Sequence, residues 1–486
     1  MNLFFRFAFL LLATFGAAAA RAEDGAIANP TMLPGALRTM RGDQGDTSQL
    51  RLTFERFSDG RTGAPLTAWI GSDYFALMSE DGETIYDFRL RRRLVVDRKA
   101  QSLVNLSLYG DVIFRQIELT RRIEIAQVIE KKTADQPLPE SLESFWIESE
   151  LSLPRPGQDA PELEQRTGGE GVVRFLHAGN VVAAFKPGTQ AVSRALRHSY
   201  AAFLRYRLPL HPRIARAIAD TGYVPAQLDY VSEAKGEAEK VALRLKEART
   251  LNEDYPLPQS LSLVLLPSGN QDPDVLLLRK VMPNMVDAIG ARAAAGPPRS
   301  VADYRKAIDA ALKDKKNFEA TLLLTALALQ WGRGAAACEK ADDAAPCHTK
   351  DEIEHAVGAD KRSLAMFDAM SLQGNEAEKA IAIWRGLDRG GVADGYVVDI
   401  FLARLLSVRG QREEAAKSFA AAFAGNPYIA TLYRDLGDHY ARTSRTDLAW
   451  LSYDLGRALP NRAAPDALSS IDQLEQELAK QYPELF

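Results

Sequence analysis

The residues best suited to chemistry in this 486-residue chain are two cysteines and six histidines, and their spacing supports little of it. Cys338 and Cys347 are not in the C-x-x-C spacing of a thiol redox motif. In an oxidising compartment two such neighbours favour a structural disulfide, worth about 2–3 kcal/mol for a short loop. His348, Glu352 and His355 fall at i, i+4 and i+7, on one face of a helix, and with Cys347 could ligate a metal. Lys350, Asp351 and Glu354 surround them, as on a solvated face, and a metal at Cys347 would compete with the disulfide. No metal site is therefore expected. Ser232-Glu233-Ala234-Lys235 matches S-x-x-K but sits at a strand end, where acyl-serine enzymes place that motif at a helix start. His177, His198, His211 and His439 are scattered. His211, between two prolines, reads as a cap or a packing residue. The chain has no H-E-x-x-H, G-x-S-x-G or G-x-x-x-x-G-K-[ST] motif. No catalytic residue and no cofactor is predicted.

The elements that would position any site begin after an export signal. Arg6 precedes an apolar run from Phe7 to Phe15, and small residues lead to Ala20-Arg21-Ala22, an A-x-A cleavage pattern. That run is short of the roughly 20 apolar residues a bilayer span needs, and no later segment reads as a span. Residues 1–22 are read as a cleaved signal peptide, which places the protein in the periplasm or, alternatively, outside the cell. Composition is that of a folded chain, 46% hydrophobic and 26% charged. A formal charge of −4 argues against nucleic acid as the main partner.

Residues 45–255 read as an α+β domain with a mainly antiparallel sheet. Gln49 to Phe57 alternates apolar and polar residues at the period of a half-buried strand. Asp73 to Met78 and Glu83 to Val96 follow as strands around Glu80-Asp81-Gly82, with Arg92 breaking the apolar face as a bulge would. Ser102 to Tyr109 is a strand and Asp111 to Lys131 a helix. Phe145 to Leu153 alternates again, and Pro154 to Gly171 reads as a long loop. Two hairpins, Val172–Phe175 with Asn180–Phe185 and Gln227–Ser232 with Lys240–Leu251, flank helices at Ser193–Tyr206 and Arg213–Asp220. Seven prolines mark 256–299 as a connector with short helices. From Ser300, a helix N-cap, residues 300–486 are almost all helical, and Phe318 to Trp331, apolar nearly all round, should be buried.

Self-similarity appears between residues 361 and 461. Ala380, Ala415 and Ala449 recur at spacings of 35 and 34, and Trp384, Phe419 and Tyr453 follow each by four. Leu436-Gly437 and Tyr440 precede Ala449 as Leu402-Ala403 and Leu406 precede Ala415. Small residues let helices approach closely and the aromatics fill the gaps. This pattern resembles the tetratricopeptide repeat, a 34-residue helix–turn–helix unit. The earliest unit departs from it, with Asp368 in the small-residue column. The resemblance implies stacked helix pairs curving around a concave groove lined by the first helix of each pair. It places Arg404, Arg434, Asp438 and Arg442 on that groove. The family's carboxylate-clamp Asn is replaced here by Phe401 and Asp435.

The reading that follows is an exported interaction or scaffold module. Its repeats dock a protein or peptide, acidic or phosphate-bearing if the three arginines make charge-assisted bonds to it. Two other readings are carried with it. In one, the N-terminal sheet carries a hydrophobic ligand on an apolar face. In the other, a hydrolase site in the α+β domain goes unrecognised.

Overall fold

The computed structural model describes residues 29–42, 48–132, 163–177, 179–208, 210–234, 237–253, 255–266, 272–290, 299–332, 355, 357–372, 374–387, 391–459 and 465–486. The expected signal peptide, Cys338 and Cys347, and the strand expected at 145–153 lie outside the described residues. The chain divides into two compact units. One comprises residues 32–265 with 475–486, and the other residues 266–474.

The N-terminal unit is a mainly antiparallel sheet with helices on it. Its elements are α1 (Pro34–Arg41), β1 (Ser48–Ser58), β2 (Arg61–Thr62), β3 (Leu66–Ile70), β4 (Tyr74–Met78), β5 (Gly82–Asp87), β6 (Arg92–Asp97), β7 (Ser102–Ser107), α2 (Leu108–Lys132), β8 (Glu164–Thr167), β9 (Val173–His177), β10 (Asn180–Ala191), α3 (Arg197–Arg207), α4 (Pro212–Asp220), β11 (Tyr223–Ala234), β12 (Glu237–Asn252) and β13 (Ser262–Leu263). Strand order is β13-β7-β6-β5-β4-β3-β1-β12-β11-β10-β9-β8, with β2 hydrogen-bonded to β1. Two meanders therefore meet where β1 pairs with β12, and among the described residues only the β13–β7 pairing is parallel. The alternation at the start of β1 reports its burial. Leu50, Leu52 and Phe54 are buried and Arg51 is exposed.

Glu83 to Val96 is not one bulged strand. It is the hairpin β5–β6, turning at residues 88–91, with Asp87 opposite Arg92 and Arg91 at φ +54°. Arg92 is fully buried and donates from Nε to Asn105 Oδ1 at 2.7 Å. The expected loop at 154–171 contains β8, hydrogen-bonded to β9.

Both faces of the sheet are covered at β4 and β5. On one, α1 and the segment around Leu257 and Leu261 pack over Tyr74, Ala76, Ile85, Leu94, Val96 and Leu103. On the other, Phe203 and Tyr206 of α3 meet Phe75 and Tyr86, with ring centroids 4.9–6.1 Å apart. Residues 475–486 belong to this unit. Leu485 is fully buried, its carbonyl accepts from Tyr206 Oη at 2.7 Å, and the Phe486 ring lies 4.7 Å from that of Tyr109.

The second unit is all helix: α5 (Pro273–Ile289), α6 (Val301–Lys313), α7 (Asn317–Trp331), α8 (Lys361–Ser371), α9 (Ala377–Gly386), α10 (Tyr396–Val408), α11 (Arg412–Gly425), α12 (Ala430–Arg442), α13 (Thr446–Arg457) and the start of α14 (Ser469–Gln481). The proline-rich stretch at 256–299 holds a 17-residue helix, α5, which keeps Pro283 in its interior and packs on α11. Asp272, just ahead of α5, pairs with Arg412 and Arg445. Ser300 caps α6 in a reciprocal capping box with Asp303. Every residue of α7 is at least partly buried, as its apolar circumference requires.

Three hairpins, α6–α7, α10–α11 and α12–α13, turn identically. Lys315, Gly410 and Ser444 each adopt a left-handed conformation (φ +56°, +73° and +60°) two residues before the second helix. In each, the next amide bonds back across the turn: Lys316 to Ala311, Gln411 to Leu406 and Arg445 to Tyr440. Behind each turn a small residue, Ala320, Ala415 or Ala449, is buried in the second helix. The α6–α7 hairpin thus shares the geometry of the two clearest repeats, although Leu324 stands where they carry an aromatic.

Candidate functional site

The sequence directs attention to the first helices of the hairpins. α10 and α12 pack side by side, and each packs on its own second helix, α11 or α13. The small-plus-aromatic pattern works at short range. A Cβ at Gly437 would lie 2.1 Å from the Tyr453 ring, and one at Gly456 would lie 2.8 Å from Tyr433 Cβ. Ala380, Trp384, Ala415, Phe419, Leu436, Tyr440, Ala449 and Tyr453 are all buried. Phe401 stacks on Trp384 with centroids 4.9 Å apart and ring planes 2° from parallel.

The four expected groove residues fall on α10 and α12, and Asp435 joins them. The Asp435 carboxylate, 7% exposed, pairs with Arg404 through one oxygen and with Arg434 Nη2 through the other, at 3.1 Å. Arg434 Nη1 also reaches the Ala467 carbonyl at 3.4 Å. Asp438 accepts from the Tyr453 hydroxyl at 2.8 Å. Burial, and the Asp435 carboxylate beside it, push the Asp438 carboxyl above the ordinary aspartate range. Arg442 is exposed and donates to Ser407 Oγ at 3.2 Å. The arginines are therefore not three open charges. Asp435 holds two of them at fixed spacing, and Arg442 stands at the rim. Sequence reasoning noted Asp435 only as a missing Asn. Its position one turn ahead of Asp438 and next to Arg434 was the available sign that these charges would serve each other.

α7 limits how much of this face is open. It packs against α8, α10 and α12. Its contacts meet the starts of the first helices, through Thr321 Oγ1 to Ser363 Oγ (3.0 Å) and through Gln330 Oε1, which accepts from Asn426 Nδ2 (3.2 Å). Asn426 also donates to the Tyr396 hydroxyl at 3.1 Å. Arg404 and Arg442 sit in the later turns of α10 and α12.

Two other clusters invite a catalytic reading. His439 Nδ1 lies 3.0 Å from Ser407 Oγ, within reach of a base and a nucleophile. His439 is 2% exposed and Ser407 6% exposed, so both are enclosed between helices where no substrate carbonyl can approach. The pair ties α10 to α12. In the N-terminal unit, Arg41 pairs with Asp87 and Asp73, and Tyr255 Oη donates to Asp87 Oδ2 at 2.6 Å. Asp87 Oδ1 accepts from the Leu90 amide at 2.8 Å, and the Arg41 guanidinium lies 4.2 Å from the centroid of the Tyr255 ring. Asp87 is fully buried and its oxygens are engaged, so the cluster fastens α1 to the sheet and does not form a cleft. His211 accepts from the Arg213 amide through Nδ1 at 3.1 Å as the N-cap of α4. Ser232 lies in β11, and Lys235 is outside the described residues. Among the described residues no helix is long and apolar enough to cross a membrane.

No protein-family model matches the chain, and no curated protein matches its sequence.

Proposed function

We propose that the helical unit is a docking scaffold of the tetratricopeptide type, in an exported protein, and that it holds an acidic protein segment along the later turns of α10 and α12. One observation carries this reading. The same left-handed turn recurs in the successive hairpins α10–α11 and α12–α13, and in each a glycine of one helix sits against a tyrosine of the other, Gly425 against Tyr396 and Gly437 against Tyr453, close packing of the kind that lets helix pairs stack into an array with a binding face. The charged row of Arg404, Arg434 and Arg442, spaced by Asp435 and Asp438, supports an acidic occupant. A carboxylate on the partner can replace Asp435 at Arg404, or bind Arg442 outright.

The carrier reading has less support. At β4 and β5 both faces are covered by the unit's own α1, α3 and the segment around Leu257, as in a packed core. The hydrolase reading gains no nucleophile from the cleft between α3 and α4, which is lined by Arg197, His198, Arg205, Arg216 and Asp220 and by no serine, threonine or cysteine.

The test is binding of a fluorescent Glu-rich peptide, together with affinity purification from an envelope fraction. Each is done with the wild-type protein and with the charge-reversal pair Arg404→Glu and Arg442→Glu. Reversal should weaken peptide binding at least tenfold and remove the captured partner. Equal capture by both baits would defeat the reading.

A further inference from the structure

From Gly171 to Ala219 the chain has no aspartate or glutamate, yet it carries seven arginines and one lysine. In a protein of formal charge −4 this is a sharp local reversal of sign. The fold folds much of it into the helical pair α3–α4. Between these helices lies a cleft of about 380 Å³, in the size range of small-molecule sites. Arg197, in the first turn of α3, and Arg216, midway along α4, line it, and Arg205 lies within it, 1% exposed. Ala215 and Ala219 keep that wall low, and Asp220 is the acidic lining residue.

Two details make this more than a charged surface. Arg197 and Arg216 are exposed, and among the described residues neither makes an ion pair or a hydrogen bond. Exposed arginines elsewhere among the described residues divide, Arg98, Arg385 and Arg409 each finding a carboxylate and Arg61 and Arg89 none, so what sets Arg197 and Arg216 apart is the cleft they share. Arg197 is also given room. Its Nη2 would stand 2.9 Å from a Cβ at Gly222, which takes φ +73° in the turn after α4. Arg205 is turned away to donate to the Leu210 carbonyl, and so leaves its positive charge behind the cleft.

We propose that this cleft binds a phosphate group, held between Arg197 and Arg216 with the buried charge of Arg205 behind it. Guanidinium forks match oxyanions, and two forks on separate helices suit a tetrahedral group with oxygens on several sides better than a planar carboxylate, which one fork satisfies. The cleft admits a small organic phosphate or a single lipid headgroup. This inference is independent of the docking face on α10 and α12.

Titration calorimetry of the full chain with sn-glycerol 3-phosphate tests the free-phosphate source. Co-sedimentation with phosphatidylglycerol vesicles, against phosphatidylcholine vesicles, tests the headgroup source. Saturable binding in either arm is expected. Arg197→Gln and Arg216→Gln should each weaken it about tenfold, the loss of one charge-assisted contact, while Arg174→Gln, on β9, should leave it unchanged. Circular dichroism should show all variants folded. No binding in either arm at millimolar phosphate, or weakening by Arg174→Gln equal to that by Arg216→Gln, would overturn the proposal.

Discussion

His211 shows how one side chain sets a pH dependence. Burial, with Arg205 and Arg213 nearby, pushes its imidazole down to about 3 from an ordinary 6.5. The unfolded chain takes up that proton below about 6.5, and the folded chain only near 3. Between those values the unfolded state binds more protons, so stability falls as pH falls, by up to about 1.4 kcal/mol per unit. Above about 6.5 the residue contributes no slope. Asn at this position can still accept the Arg213 amide as an N-cap but does not titrate. Urea midpoints of His211→Asn, measured from pH 7 to pH 4, should therefore decline less steeply than those of the wild type. Parallel declines would show that His211 is not the acid-sensitive group. Asp435 gives a second test at this scale. Asp435→Asn takes a carboxylate from Arg404 and Arg434 and should cost about 1–3 kcal/mol of stability. If the face docks an acidic segment, the same variant should bind a Glu-rich peptide more tightly. A purely structural Asp435 would give the stability loss without the gain in affinity.

At the scale of elements, the recurring hairpin turn makes opposite predictions at two equivalent positions. Ser444 and Gly410 both hold a left-handed backbone, a conformation that costs an L-residue roughly 1–2 kcal/mol. Ser444→Gly should raise stability by about 0.5–1 kcal/mol, and Gly410→Ala should lower it by about 1 kcal/mol, in denaturant titrations. If neither changes, the turn is not under the strain its φ angles imply. The same elements show what the sequence could convey. The 34-residue recurrence located α10 to α13 because buried small and aromatic residues leave a periodic trace. The α6–α7 hairpin left a weaker trace because Leu324 replaces the aromatic, so only the buried small residue, Ala320, and the turn geometry repeat. The β5–β6 hairpin was legible as strand but not as hairpin. Apolar alternation runs on through Tyr86, Phe88 and Leu90, and the left-handed turn residue is Arg91, not glycine or asparagine. Prolines hid α5, where Pro283 sits inside a helix held by packing on α11. The groove arginines could be assigned to helix faces from sequence. Their mutual neutralisation by Asp435 could not, because it depends on how α10 lies against α12.

At the scale of the whole molecule, sequence order and compact unit do not coincide, and this governs how the protein can be divided. The last residues of the chain complete the N-terminal unit. Leu485 is fully buried, its carbonyl takes the Tyr206 hydroxyl, and Phe486 covers Tyr109. Removing Pro483–Phe486 would expose Tyr109 and leave the buried Tyr206 hydroxyl without its acceptor. The lost burial of one leucine and one unsatisfied hydroxyl together come to about 3–5 kcal/mol. Hydrogen exchange followed by mass spectrometry should then show faster exchange in peptides covering 108–112 and 200–210, with 396–457 unchanged. Equal protection throughout would mean that the C-terminal segment is dispensable to the sheet unit. If protection is lost as expected, a truncation at residue 300 would remove a structural part of the N-terminal unit along with the helical hairpins. Any partner released by that truncation could not then be assigned to either unit, whereas Arg404→Glu with Arg442→Glu disturbs the docking face and leaves residues 475–486 in place.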